Sequence, residues 1–393
     1  MILIAKILFW ISLILILHSY VIFPVLLILL AFIKRKQPII YSKPENLPSV
    51  SILMAAYNEE EIIEEKIQSI LSSDYPLSKL NIFIGSDNST DNTNEIIKRY
   101  AQNHSQIKFF PFYSRQGKPN IINQLSDKSD DEIFILTDAN VIFDQYTVIE
   151  LVKPFTNTEI GLVDSRMINK GLQKDGISVQ EKTYISREVN IKNLEGLLWG
   201  SMMGPFGGCF AIRKSLFEKV PATYLVDDFY INMKVLEKGK KAINNIHAKV
   251  YEDVSNNLSD EFRRKIRIAT GNFQNLLTFS KLLNPRYKAL AFSFLSHKVI
   301  RWFGPLLFAF IIIANIILMH QNLFYKAFFY LIIMIIIIPI IDFLLRKLKI
   351  HIIILRFVTH FVTMNVALFI GMIKFLKGVK SNVWQPTKRN QAK

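Results

Sequence analysis

Residues 50–60 read VSILMAAYNEE and residues 80–91 read LNIFIGSDNSTD: two short apolar runs, each breaking into a cluster of polar side chains. Runs of Val, Ile, Leu and Phe bounded in this way suit strands buried on both faces, and the polar break marks where each strand leaves its sheet. Ile107–Phe112, Glu132–Thr137 and Ile160–Met167 repeat the pattern. Stretches with helical periodicity separate them, clearest at Glu60–Ser72 and Thr93–Asn103. The alternation predicts an α/β fold, a mostly parallel sheet with helices on both faces. Such sheets bind ligands at the carboxyl ends of their strands, so the residues just after each strand are the ones to read for chemistry.

Outward from this core the chain turns apolar. Ile7–Ile33, interrupted only mildly by Ser12, His18, Ser19 and Pro24, is long enough to cross a hydrocarbon layer of roughly 30 Å and ends at Lys34, Arg35 and Lys36. Its length, the lack of a small-residue cleavage site and the basic cluster on its far side distinguish it from a secretory signal. The cluster places the following domain in the cytoplasm. Phe303–Met319 and Leu323–Leu345, parted by His320, Gln321 and Asn322, predict a transmembrane hairpin ending at Arg346, Lys347 and Lys349. Ile350–Leu376 carries His351, Arg356, His360, Asn365 and Lys374, and is expected to lie partly in the interface, because a fourth crossing would export a basic tail. His297–Trp302 is expected at the headgroup layer, anchored by its Trp. The expected division is an anchor over 1–36, a cytoplasmic domain over 47–285 and a membrane region over 290–393.

The 393-residue chain carries a net charge of +16, distributed unevenly. Thirteen Lys and Arg face only Asp342 from Leu290 onward, and residues 1–44 hold five basic residues and no acid, which leaves the middle near −1. Basic flanks beside apolar segments answer to anionic lipid, and a near-neutral middle excludes a nucleic-acid partner. Cys209, the single cysteine, excludes an internal disulfide and a multi-cysteine zinc site and fits a cytosolic domain.

The polar clusters have two readings each. Asn58, Ser89 and Asp91 are ordinary helix caps, while Tyr57 can pack beside a base and Asp87 can accept from a base N–H. Asp138 and Asn140 can share one divalent cation, Mg²⁺ or Mn²⁺, whose remaining ligands come from phosphate and water, or can cap. Asp228 precedes the helical run Phe229–Lys238 as cap or as catalytic carboxylate. Gly207 and Gly208 make a turn or admit a ligand close to the backbone. Arg264 and Arg267 share a helical face suited to a pyrophosphate or to lipid headgroups.

The order of the pieces is itself informative: AAYNE at 55–59, SDNSTD at 86–91, Gly117-Lys118 followed by Asn123, then Asp138-Ala139-Asn140. GPFGG at 204–208, Asp227-Asp228 and RKIRI at 264–268, leading to Gly271 and Gln274, complete it. From about Val50 to Leu282 the sequence resembles the family-2 glycosyltransferases, membrane-bound members included. The resemblance implies the GT-A fold, an inverting sugar transfer from a nucleotide-sugar donor, most commonly UDP-linked, and a glycan or lipid-linked acceptor in cell-envelope assembly at the plasma membrane. It places Ala56, Tyr57, Glu59 and Asp87 at the nucleoside, Lys118 at the uracil or phosphates, and Asp138 at the ribose or metal-bound diphosphate with Asn140. It places Gly207, Gly208 and Asp227 at the donor sugar and acceptor, Arg264 and Arg267 at the diphosphate, and makes Asp228 the catalytic base. Two positions depart from the family pattern. Asn140 replaces a second acid of the metal motif, and Arg264 and Ile268 stand where processive polymer synthases have Gln and Trp. The second departure favours single additions over an extruding synthase. A catalytically silent scaffold is the remaining alternative, opposed by Asp227-Asp228.

Overall fold

The computed structural model describes residues 1–35, 41–170, 178–253, 258–379 and 382; Lys36 and most of the basic tail lie outside the described residues. The chain divides into two compact units, one comprising residues 1–29, 172–185 and 255–378, the other residues 30–171, 186–254 and 379–393. Within the expected 47–285 span, residues 178–185 group with the helical unit.

The α/β unit is built on one eight-stranded sheet of β1 (Val50–Ala56), β2 (Leu80–Asp87), β3 (Ile107–Phe112), β4 (Ile133–Asp138), β5 (Ile142–Phe143), β6 (Ile160–Lys170), β7 (Cys209–Arg213) and β8 (Lys241–Asp253). The order is β3-β2-β1-β4-β7-β6-β8-β5. The first four in that row are mutually parallel, and β7 is antiparallel to both β4 and β6. Every residue of β1 is buried, as a central strand covered on both faces requires. Because β1, β2 and β4 run parallel and in register, Ala56, Ser86 and Asp138 finish at one edge of the sheet. The helix expected from Glu60 begins at Ile63. Glu60 is used instead to bind a neighbouring loop, its Oε2 accepting Asn92 N at 3.0 Å. Thr93–Asn103 forms a helix with the expected ends.

The other unit is helical. Ile2–Ile33 is one apolar run of 32 residues with a π-helical turn at His18–Ile22. The turn sits just ahead of Pro24, whose ring carries no N–H for the helical ladder. Its core joins Ala5 and Phe9 to Ile311, Ala314, Leu318 and Tyr325. Trp10 Nε1 donates to Tyr325 Oη at 3.1 Å. Ile2–Ile33, Leu323–Lys347 and Ile353–Leu376 are each long and apolar enough to cross a membrane. Gly304–Leu318, the expected first arm of the hairpin, has 15 residues and follows Ala289–Trp302 at a 61° bend, so it reaches a full span only together with that segment. Two of the polar residues of Ile350–Leu376 are paired inward: His360 Nε2 lies 3.2 Å from Glu181 Oε2, and Arg356 Nε 3.9 Å from Asp342 Oδ1. Length and composition therefore do not bar this helix from the membrane.

Candidate active site

Two loops at the carboxyl ends of β1 and β2 are zipped together. Asn58 and Asn88 adopt positive φ (52° and 59°), the left-handed region that asparagine tolerates. Thr90 N donates to Asn58 Oδ1 at 2.9 Å, Glu59 N to Thr93 Oγ1 at 2.8 Å and Glu60 N to Asp91 Oδ2 at 3.1 Å. Ser89, Thr90 and Asp91 thus act as caps between loops, and Ala56 is buried at their base.

Asp87, wholly buried, orders the next loop. Its Oδ1 accepts Gln116 N at 2.6 Å, while its Oδ2 accepts Gly117 N and Arg115 Nε, each at 3.1 Å. The Arg115 guanidinium lies 3.2 Å from the Tyr57 ring centroid. Arg115, which the sequence reading passed over, therefore joins the aromatic side chain to the carboxylate in one platform. Gly117 holds φ 85° and starts the helix Lys118–Ser126. A Cβ there would overlap the side chain of Asn382, whose Cγ it would meet at 2.9 Å.

Lys118 is the hub. Its Nζ lies 2.6 Å from Asp138 Oδ1 and 3.9 Å from Asp227 Oδ2, and donates to Gly207 O at 3.2 Å. Burial works against the ammonium, but Asp138, Asp227 and Asp228 outweigh it and hold its pKa above the ordinary lysine value. Asp228, in the first turn of the helix Asp227–Glu237, shows the opposite effect. Burial first, and then the Asp227 charge, push its pKa up to about 6 against the partial relief of Lys118. Its Oδ1 accepts Phe229 N at 2.8 Å, satisfying one N–H of that first turn. A carboxyl with this value exchanges protons near neutrality, as a general base does.

The glycines are closed in by protein. A Cβ on Gly207 would overlap the Asp228 carboxylate, with Cγ at 3.0 Å, and one on Gly208 would meet the Phe206 ring at 2.6 Å and Val141 at 2.9 Å. A side chain at either position would therefore meet Asp228 or Phe206 and Val141. The loop that bears them is pinned from below, Asp164 Oδ1 accepting Phe206 N at 2.7 Å while its Oδ2 accepts from Lys192 Nζ at 2.8 Å. Burial raises the Asp164 pKa, and Lys192 opposes the rise.

Asn140 Nδ2 faces Glu252 Oε1 at 3.4 Å. Among the described residues no group of three or more His, Cys, Asp or Glu is arranged to hold a metal. Asp87, Lys118, Asp138, Asp227 and Asp228 come together in the α/β unit with Tyr57 and Gly207. Arg264 and Arg267 belong to the helical unit, where Arg264 Nη1 lies 3.2 Å from Glu261 Oε2 and Arg267 is exposed.

Residues 51–221 match the family described as Glycosyl transferase family 2, and residues 183–341 that described as Glycosyl transferase family group 2. The chain is 26% identical over 300 residues to the probable glycosyltransferase YdaM of Bacillus subtilis, covering 72% of this chain and 68% of that one. It is 32% identical over 146 residues to a poly-beta-1,6-N-acetyl-D-glucosamine synthase of Staphylococcus epidermidis, with only 35% of each chain covered. The mannosyltransferase PcManGT of Pyrobaculum calidifontis, solved with GDP-Man and Mn²⁺, shares the fold with a TM-score of 0.69 at 20% identity, covering 94% of this chain and 99% of that one.

Proposed function

The chain is a glycosyltransferase of family 2, and on that premise we propose that it moves a sugar, with inversion, from a UDP-linked donor to a membrane-associated glycan or lipid acceptor. The observation that carries the reading is Asp228, a carboxyl raised to about 6 and set beside the Lys118 hub. As the acceptor oxygen attacks the anomeric carbon, Asp228 takes the hydroxyl proton and the bond from that carbon to the diphosphate breaks. The departing electron pair goes to the nucleoside diphosphate, whose charge Lys118 offsets. Tyr57, Arg115 and Asp87 form the nucleoside platform, with Glu59 two residues on from Tyr57 in the same loop. Three carboxylates around one ammonium leave this cleft negative, so a diphosphate needs a cation of its own. Mg²⁺ or Mn²⁺ held by Asp138 and Asn140 would supply that neutralisation.

The long apolar helices support a membrane setting, and Lys34, Arg35 and the cluster 346–349 support a cytoplasmic catalytic unit. Ile2–Ile33, Leu323–Lys347 and Ile353–Leu376, each long and apolar enough to cross, support three crossings in all. Screening nucleotide sugars for nucleotide release by the full chain in native membranes, with and without Mg²⁺ or Mn²⁺, tests the reading: release by wild type and not by Asp228→Asn supports it, and equal release by both refutes it. A lipid-attached oligosaccharide should be used in preference to its soluble counterpart.

A second reading is favoured by the staphylococcal relative, named as a polymer synthase: processive extension of the product. Long chains from the first turnovers would select it, and single additions the first.

A further inference from the structure

We infer that Lys66 is a positioning residue of the donor site, its buried ammonium holding the Thr137–Phe143 loop so that Asp138 and Asn140 meet the donor's diphosphate. The inference rests on the donor reading of Asp138 given above.

Lys66 lies on the helix Ile63–Leu71, on the face that buries Ile63, Ile67 and Ile70, and no part of it reaches solvent. An apolar side chain is the ordinary occupant of such a position. Its Nζ donates to Thr137 Oγ1 at 2.9 Å and to Val141 O, and rests 3.7 Å from the centroid of the Phe143 ring. The three partners bracket Asp138–Asn140 along the chain: Thr137 just before, Val141 and Phe143 just after. All three are neutral, so this ammonium is not balanced by contact with a carboxylate, an arrangement that is costly in a buried site.

What the lysine supplies, and an apolar side chain cannot, is directional contact with both ends of one loop. Thr137 Oγ1 has one proton to give. With Lys66 donating to that oxygen, the proton is directed at Gly208 O, 3.0 Å away. Asp138 N donates to the same carbonyl at 2.9 Å. The chain of contacts therefore ties the loop bearing Asp138 to the loop bearing Gly207, whose carbonyl accepts from Lys118. Burial lowers the Lys66 pKa to about 7, with Cys209 and Asp138 opposing the drop, in keeping with a charge held by neutral groups.

The test compares Lys66→Met and Lys66→Gln with wild type in the full chain, measuring kcat, donor KM, acceptor KM and the thermal midpoint without donor. Lys66→Met should raise donor KM about tenfold or more, the usual effect of removing an outer-shell partner, and leave acceptor KM within about twofold. Lys66→Gln, which keeps an amide donor for Thr137 Oγ1, should fall between the two. Unchanged donor KM in a folded variant overturns the inference. So does a loss in which kcat and both KM values worsen together with the thermal midpoint, the mark of a merely structural lysine. If Lys66→Met does not fold, Lys66→Gln decides by the same criteria. Wild type that binds no nucleotide sugar in the parallel assay refutes the donor reading instead, so the two failures are distinguishable.

Discussion

Replacing Asp228 by Asn removes the proton acceptor and leaves an oxygen where Phe229 N donates at 2.8 Å, so that hydrogen bond survives while the charge does not. The rise of the Asp228 pKa from 3.8 to about 6 corresponds to roughly 3 kcal/mol. The carboxylate is only half-buried, and its solvent contact reduces this to about 1–2 kcal/mol. The sign follows from which form the fold prefers. A carboxyl raised above its unfolded value contributes stability fully below pH 3.8 and loses it as pH climbs through about 6. Wild type and variant should therefore melt together near pH 4 and separate above pH 6, the variant being more stable by roughly 2–8 °C at pH 8. Transfer should fall about 10²–10⁴-fold in the variant, and the wild-type rate should rise with pH to a plateau above about 6. Thermal unfolding followed by intrinsic fluorescence from pH 4 to 8, paired with nucleotide release, reads both quantities. A variant less stable than wild type at pH 8, or one that still transfers sugar, refutes the reasoning.

Asp87→Ala removes the acceptor of three hydrogen bonds that order residues 115–117 and should raise donor KM at least about tenfold, measured by initial rates against donor concentration. Gly207→Ala pushes a methyl against the Asp228 carboxylate and should lower kcat by about tenfold or more with a smaller change in donor KM. Chelation with EDTA should suppress nucleotide release, and added Mg²⁺ or Mn²⁺ should restore it. In the helical unit, Glu181→Ala takes the shared carboxylate from Lys265, now 2.9 Å away, and from His360, while Lys265 keeps Glu261 at 3.2 Å; it should cost about 1–3 kcal/mol, read as a lower melting temperature in detergent.

The strands legible in the sequence are those whose apolar runs end in a polar break, β1, β2 and β4 among them. β7 is only CFAIR, adjoining the glycine motif, and gives no separate signal. β8 reads KAINNIHAKVYED because Asn244 and Asn245 are buried by hydrogen bonds to Ser165 and Glu150 rather than by apolar contact, a circumstance only the fold creates. The same division runs through the site. Asp87, Lys118, Asp138 and Asp228 stand beside recognisable motifs; parallel register brings Asp87 and Asp138 to one end of the sheet, and Lys118 and Asp228 join them from the first turns of two helices. Arg115 and Lys66 look like surface charges in the sequence, since their partners lie 28 and 71 residues away. Gly207 could be read as a close approach, but not that Asp228 is what approaches.

The central claim is that one cleft, walled by Asp87, Lys118, Asp138 and Asp228, receives the donor. A structure of the full chain determined with a nucleotide sugar and Mg²⁺ tests it most directly. The account predicts the base on the Tyr57–Arg115 platform, the diphosphate between Lys118 and Asp138, and the anomeric carbon facing Asp228. A nucleotide bound elsewhere, with these four side chains untouched, would contradict it.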